Sequence, residues 1–290
     1  MIQAASRKRC PATFNPFIWN EACLSIAHPT ELLAFLEQID AAPRKGLSQN
    51  FLIDANILRK IVKSAAVAKE DRILEIGPGP GALTQELLRS DAQVFAIEKD
   101  PKFARALHRL QIDGRLQIHE ADFLDFPIDK HLINAAPLKV VANLPYHITT
   151  PIIERLCEHS SLFTSAWIMV QKELAVRMVA RPGTKEMSSF TIFLQTYCKP
   201  SIALKVSRHC FFPAPKVDSC VVRLDFHPPL MKDPKPFLAI VRRAFQQRRK
   251  MLRSTLSIRQ EPFASMRPEA LSFEDWMTIN EKSDSIDLST

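Results

Sequence analysis

Three features of the 290-residue chain point to an α/β fold, a doubly wound and mostly parallel sheet followed by a small helical domain. From residue 44 onward, short apolar runs alternate with helical stretches. A turn rich in glycine and proline separates the first of these runs from the helix after it. A proline-rich hinge then precedes a basic segment with helical periodicity. Strands separated by helices are the mark of βαβ units, whose crossovers leave neighbouring strands parallel.

Arg72-Ile73-Leu74-Glu75-Ile76 reads as a strand ending in the glycine turn, and Ala82–Leu88 as the helix that follows. Val94-Phe95-Ala96-Ile97 is a second buried strand, with a helix after Pro101, where proline suits a first helical turn. Leu116-Gln117-Ile118, Lys139-Val140-Val141-Ala142 and Trp167-Ile168-Met169-Val170 continue the series. Residues 217–226 are long and apolar with no helix signal before them, which predicts the antiparallel edge of a mixed sheet. The prolines between His227 and Pro236 mark the hinge. The expected organisation is an irregular extension over 1–40, a main domain over 41–227 and a basic helical domain over 228–290. Beyond the hinge Leu238, Val241, Phe245, Leu252 and Leu256 recur at spacings of 3, 4, 7 and 4, which predicts one apolar helical stripe. Arg242, Arg249, Lys250 and Arg253 fall along one flank of it, with Arg248 on the opposite border.

Hydrophobic residues make up 46% and charged residues 24%, a globular balance that excludes disordered, collagen-like and coiled-coil classes. No apolar run approaches the roughly 18 residues that cross a bilayer. The net charge is +8 and unevenly placed, with eight basic and no acidic residues between Lys235 and Gln260. From Glu261 onward seven acids face two bases. A dense basic block with an acidic edge suits a polyanionic partner. The six cysteines lie far apart without a Cys-x-x-Cys pair, which predicts reduced cytosolic thiols, no disulfide frame and no metal site. Arg7-Lys8-Arg9 opens no apolar leader, since Pro11 and Pro16 follow closely, so the expected location is the cytoplasm.

The turn Glu75-Ile76-Gly77-Pro78-Gly79-Pro80-Gly81 lies where a doubly wound sheet binds nucleotide-like ligands. Its pattern is G-x-G-x-G rather than G-x-G-x-x-G, and both intervening positions are prolines. Two prolines remove two N–H donors, which suits a ligand with no pyrophosphate. Glu98 closes the second strand, 21 residues after Gly77, where an acid accepts from ribose hydroxyls. Asp122 follows the third strand and is placed to hold an adenine amine. The set fits S-adenosylmethionine in a Rossmann-like sheet better than a dinucleotide.

Asn143-Leu144-Pro145-Tyr146 follows the fourth strand. An exocyclic amine on a purine or pyrimidine is a poor nucleophile because its lone pair is delocalised into the ring. Two acceptors aimed at its N–H groups, the Asn143 side-chain oxygen and the Pro145 carbonyl, draw the nitrogen toward sp³ geometry. Tyr146 is placed to stack on the base and Phe211, in the stiff loop entering the last strand, to close its other face.

These residues resemble the ribosomal RNA adenine N6,N6-dimethyltransferase family, over about Lys45 to Leu256. The resemblance rests on Gln49-Asn50-Phe51-Leu52, the glycine turn, Glu98, Ala121-Asp122-Phe123, Asn143-Leu144-Pro145-Tyr146, Phe211-x-Pro213-x-Pro215-x-Val217-x-Ser219 and Gln247-Arg248-Arg249-Lys250-x-Leu252. It implies that Asn50, Leu52, Gly77, Glu98, Asp122 and Asn143 line an S-adenosylmethionine pocket. It implies further that Asn143, Pro145, Tyr146 and Phe211 handle the base, and that Arg248, Arg249, Lys250 and Arg253 meet RNA. Within the family the chain looks most like the bacterial small-subunit branch, acting as a monomer on 16S rRNA of an immature small subunit. Two positions depart from the usual pattern: Leu47-Ser48 stands for Phe-Gly, and Ser254 for Asn. The competing readings are a 23S rRNA enzyme of the same family and a non-catalytic ribosome-assembly factor. Intact Gly77, Glu98 and Asn143 favour chemistry. A cytosine-C5 enzyme is disfavoured, because no cysteine lies near residue 143.

Overall fold

The computed structural model describes residues 26–44, 46, 49–111, 114–228 and 230–281. Arg7-Lys8-Arg9, Cys10, Cys23, the Leu47-Ser48 departure and the end of the acidic tail lie outside the described residues. The chain opens with helix α1 (Pro29–Gln38), strand β1 (Phe51–Leu52) and helix α2 (Ala55–Ser64). The alternating block follows as β2 (Arg72–Ile76), α3 (Ala82–Leu88), β3 (Gln93–Glu98), α4 (Pro101–Leu107), β4 (Leu116–Glu120) and α5 (Ile128–Leu132). It continues through β5 (Leu138–Asn143), α6 (Thr149–Glu158) and β6 (Phe163–Gln171). Then come α7 (Lys172–Met178), α8 (Ser189–Tyr197), β7 (Cys198–Val206), β8 (Phe211–Phe212) and β9 (Ser219–Phe226). Helices α9 (Lys235–Gln246), α10 (Leu252–Thr255) and α11 (Phe273–Glu281) end the described chain.

The main sheet has the order β4-β3-β2-β5-β6-β9-β7, with the first five strands parallel and β9 antiparallel to both neighbours. The mixed, mainly parallel sheet expected from the alternation is therefore present, and β2 and α3 have the bounds read from the sequence. Alternation across the strands splits the apolar residues into two layers. Leu74, Ile76, Phe95 and Ile97 face α6 and α8 on one side. Ile73, Val94 and Ala96 face α2 and α3 on the other. Phe237, Leu238, Val241 and Phe245 of α9 join the first layer, together with Trp276 of α11.

Three elements differ from expectation. Strand β9 is antiparallel but not the edge, because β7 pairs on its far side. The apolar residues of β9 point to both faces, as an interior strand requires. The edge strand β7 instead alternates, with Lys199, Ser201, Ala203 and Lys205 exposed, and edge strands tolerate a residue such as Pro200. The stripe beyond the hinge is not one helix, for the chain turns between Gln246 and Leu252 and starts again as α10. A local turn bond and one bond to a distant segment override helix propensity there. Lys250 N donates to Gln247 O at 2.8 Å, and Leu252 N to Met266 O at 2.9 Å. Within the segment read as irregular, residues 29–38 form α1, started by Pro29 at its first turn and held by buried Leu32 and Leu36.

Candidate active site

The strand order reverses between β2 and β5, and ligands of doubly wound sheets bind beyond the carboxyl ends at such a point. The glycine turn leaves β2 there, and Asn143-Leu144-Pro145-Tyr146 leaves β5. One cleft of about 860 Å³, open mouth included, runs between them.

Within the glycine turn every N–H from Gly77 to Gly81 is internally used or replaced by proline. Gly77 N donates to Ile97 O at 2.9 Å, Gly79 N to Glu98 Oε2 at 2.8 Å and Gly81 N to Pro78 O at 3.0 Å. The turn itself therefore has no amide left to cradle a phosphate, which suits a ligand without a pyrophosphate. Gly81, at a φ of 89°, also allows a close approach: a Cβ there would lie 2.7 Å from Leu107 Cδ2.

Glu98 ends β3 at the cleft with 5% exposure. Its two oxygens accept from Gly79 N at 2.8 Å and Asp100 N at 2.7 Å. Burial raises its pKa, while those two amides oppose the rise. Each carboxylate oxygen keeps acceptor capacity for a hydroxyl. Asp122 stands further along the cleft, accepting from Lys99 Nζ at 2.5 Å and Leu124 N at 2.9 Å. Burial alone would raise its carboxyl, but Lys99 and the Leu124 amide together hold it below the ordinary value.

Asn143 has its orientation fixed from outside its own turn. Its Nδ2 donates to Asn50 O at 3.1 Å, which leaves Oδ1 as the acceptor. Pro145 O accepts from Ile148 N at 3.2 Å and Thr149 Oγ1 at 3.0 Å. Tyr146 lines the cleft with its hydroxyl 2.7 Å from Ser219 Oγ at the start of β9. Burial raises the Tyr146 pKa, so the ring remains a neutral phenol.

The structure thus brings Asn50, Gly77, Glu98, Asp122, Asn143, Pro145 and Tyr146 into one cleft. Leu52 lines a smaller adjoining cavity with Glu75, Gly77 and Asn143. Phe211 is set apart from the cleft. At 3% exposure its ring lies in the apolar layer, and its backbone pairs with Leu52 in the two-stranded β1–β8 ribbon. Arg248, Arg249 and Lys250 occupy the exposed turn after α9, and Arg253 the exposed side of α10. Arg248 Nη2 donates to Lys185 O at 2.8 Å.

Glu75 and Ser219 stand within the sequence motifs, which assign neither of them a role. Glu75 is 1% exposed, and its Oε2 has no hydrogen-bond partner among the described residues. Burial, with the Glu98 charge adding and Thr84 opposing, pushes its carboxyl up to about 8. A carboxylate inside an apolar parallel strand was the available signal for it. A polar residue opening an apolar strand was the signal for Ser219. Among the described residues no group of His, Cys, Asp or Glu is arranged to hold a metal.

A mainly parallel sheet of this strand order, with helices on both faces and a glycine turn that offers no amide to a phosphate, has the fold of the Rossmann-like methyltransferases. Residues 41–283 match the family described as Ribosomal RNA adenine dimethylase. The chain is 47% identical over 276 residues to the ribosomal RNA small subunit methyltransferase A of Protochlamydia amoebophila, covering 88% of this chain and 96% of that one. It is 43% identical to the protein of that name from Chlamydia felis, over 88% of this chain and 95% of that one. A solved dimethyladenosine transferase from Plasmodium falciparum superposes with a TM-score of 0.70 at 26% identity, covering 79% of this chain and 95% of its own. The 23S rRNA methyltransferase ErmE superposes with a TM-score of 0.65 at 25% identity, over 81% and 100%. The chain belongs to the ribosomal RNA adenine dimethylase family and is a methyltransferase of ribosomal RNA.

Proposed function

We propose that the protein methylates the N6 amines of two adjacent adenosines in the 3′-terminal hairpin of 16S rRNA. The product is N6,N6-dimethyladenosine, made during small-subunit biogenesis. The small-subunit names of the relatives support the choice of RNA. One observation carries the chemistry: Asn143, locked by Asn50 with its oxygen as acceptor, stands across the strand switch from a glycine turn with no free amide.

The residues fit S-adenosylmethionine. Glu75 Oε2 is a buried acceptor without a partner beside the glycine turn, and Glu98 retains acceptor capacity in the same cleft. When bound, that cofactor supplies an electrophilic methyl group on a sulfonium. Asn50, Leu52, Gly77, Glu98, Asp122 and Asn143 would hold it. Asn143 Oδ1 and Pro145 O accept the two N6–H groups, with the adenosine amine taking the place of the Thr149 hydroxyl on Pro145. These bonds localise the amine lone pair for attack, and the Tyr146 ring holds the base plane. The alkylated nitrogen becomes a strongly acidic ammonium, so its proton passes to water without a dedicated base. In this conformation Phe211 supports the ribbon that carries Asn50, and the second face of the base falls to it only if β8 moves outward.

In this reading residues 41–227 carry the chemistry, and residues 228–290 carry RNA contacts through Arg248, Arg249, Lys250 and Arg253. The protein works as a cytoplasmic monomer on an immature small subunit and needs no metal. The test is nucleoside mass spectrometry after incubation with S-adenosylmethionine and unmethylated small subunits, with 23S rRNA in parallel. Dimethyladenosine only in the small-subunit RNA is the expected result. Product only in 23S rRNA would overturn the choice of RNA. Cofactor binding with no transfer to either would leave an assembly factor.

A further inference from the structure

Arg109, in the turn that follows α4, has a partly buried guanidinium with no carboxylate partner among the described residues. Burial alone pulls its pKa down to about 10. A desolvated cation without a counter-ion is costly, so what it touches is informative. Its Nη1 donates to Ala106 O at 2.7 Å, and its Nη2 donates to Pro80 O. Its outer face is covered by Phe35 of α1, with the guanidinium carbon 4.3 Å from the ring centroid. Cation–π attraction is strongest in such water-poor settings.

Pro80 lies between Gly79 and Gly81 in the turn that faces the cleft. Gly79 N is held from the inside by Glu98 at 2.8 Å, and Pro80 O is held from the outside by Arg109. Gly81 packs so closely on Leu107 and Leu110 that a Cβ would lie 2.7 and 2.9 Å from them. The turn is thus gripped between β3 and the α4 segment. Helix α1 bears on the outer support, the α4 segment, and on β1. Leu32 and Leu36 pack with Phe51 and Phe103, and the Phe51 ring is 3.1 Å from where a Cβ on Gly79 would stand. Lys102 Nζ pairs with Asp40, just after α1, at 2.8 Å.

We infer that α1, which precedes the residues matching the family, is the outer clamp of the cofactor turn, with Arg109 a positioning residue acting through Pro80 and Phe35 its cover. This rests on reading that turn as part of the S-adenosylmethionine site. The clamp acts on the backbone of the turn and touches neither ligand.

The experiment compares the full chain with Phe35→Leu, Arg109→Met and the double variant, using Leu33→Ala on the exposed side of α1 (49% exposed) as control. Three quantities are measured: S-adenosylmethionine affinity by calorimetry, amide hydrogen exchange over residues 77–85, and RNA affinity. Arg109→Met is expected to weaken the cofactor about tenfold and Phe35→Leu by less, the scale of one desolvated cation contact. Exchange over 77–85 should quicken in both, with RNA affinity and the Leu33→Ala control unmoved. The double variant should match Arg109→Met, because Phe35 acts through Arg109. Unchanged exchange and unchanged cofactor affinity in folded Phe35→Leu and Arg109→Met would overturn the clamp, and Phe35→Leu alone decides if Arg109→Met does not fold. Faster exchange in the variants of a chain that binds no S-adenosylmethionine would keep the clamp and remove the ligand assignment instead.

Discussion

The cleft and the basic turn after α9 are built in opposite ways. In the cleft, Glu98 and Asn143 are each held by partners outside their own strands, Glu98 through both carboxylate oxygens and Asn143 through Nδ2. In the turn, Arg249 and Lys250 stand in solvent, and Arg248 has one bond to a loop carbonyl. Pre-set acceptors suit methyl transfer, where a small misplacement is costly. Mobile, hydrated cations suit a flexible polyanion, whose attraction is long-ranged and salt-dependent. The division teaches that substitutions in one region should leave the work of the other largely intact.

The sharpest test of that division is Asn143→Ala. It removes the proposed acceptor for the amine and leaves the basic turn after α9 untouched. Methyl transfer should fall by about 10²–10³-fold or more, in the range for deleting one aimed polar group. RNA affinity, measured by filter binding, should stay within about twofold, since surface away from the change is unaltered. Parallel loss of both would mean that the two regions are one.

Glu75→Gln asks what the rigidity of the cleft costs. The Glu75 carboxyl is raised from an ordinary 4.5 to about 8 in the fold. A raised acid binds its proton more tightly when folded, so stability is lost as pH climbs from about 4.5 to 8. The glutamine lacks that titration. Its gain should be small near pH 4.5, reach on the order of 3 kcal/mol at pH 7 and grow by about 1 kcal/mol more by pH 8. Chemical denaturation at three pH values reads this, and a gain that does not grow with pH would deny the buried-acid account.

Much of the cleft was legible because its marks are local. Pro78 and Pro80 announce missing amides, and Glu98 and Asn143 each sit at the end of an apolar run. The structure adds what lies far apart in the chain. The bond that orients Asn143 reaches Asn50, 93 residues away, and no spacing rule connects them. The break after Gln246 was illegible for another reason. Phe245 and Leu252 are seven residues apart, in phase for a continuous helix, so periodicity alone could not reveal a turn between them. Strand β7 was hidden by its edge position, where alternating Lys199, Ser201 and Lys205 with Pro200 lack the apolar run that marked the interior strands. Helix α1 buries only Leu32 and Leu36, and it takes its meaning from Arg109 and Phe51.

Glu98→Ala separates the two ligands of the cleft side. It deletes a charged acceptor and also strands the amides of Gly79 and Asp100. Cofactor affinity should drop by about 10–100-fold, the value of a charge-assisted hydrogen bond, while RNA affinity holds. Retained cofactor affinity in a titration would refute the ribose assignment.

The smallest change is expected from Arg249→Glu with Lys250→Glu, and it probes the comparison from the other side. Both side chains are exposed, so the fold should tolerate reversal and thermal unfolding should shift little. If they neutralise phosphates, each lost contact removes roughly 0.7–0.9 from the slope of log affinity against log salt, about 1.5 for the pair. Affinity near physiological salt should weaken about tenfold, and turnover at saturating RNA should stay at the wild-type value because no cleft residue has moved. Arg248 is left out deliberately, since its bond to Lys185 O ties the turn to its neighbouring loop and would confuse support with attraction. A normal salt slope in the double variant would make the turn a solvated surface and shift RNA recognition to the rim of the cleft. A loss of turnover instead would show that the exposed cations help set the geometry of the buried acceptors, a result that the division between the two regions forbids.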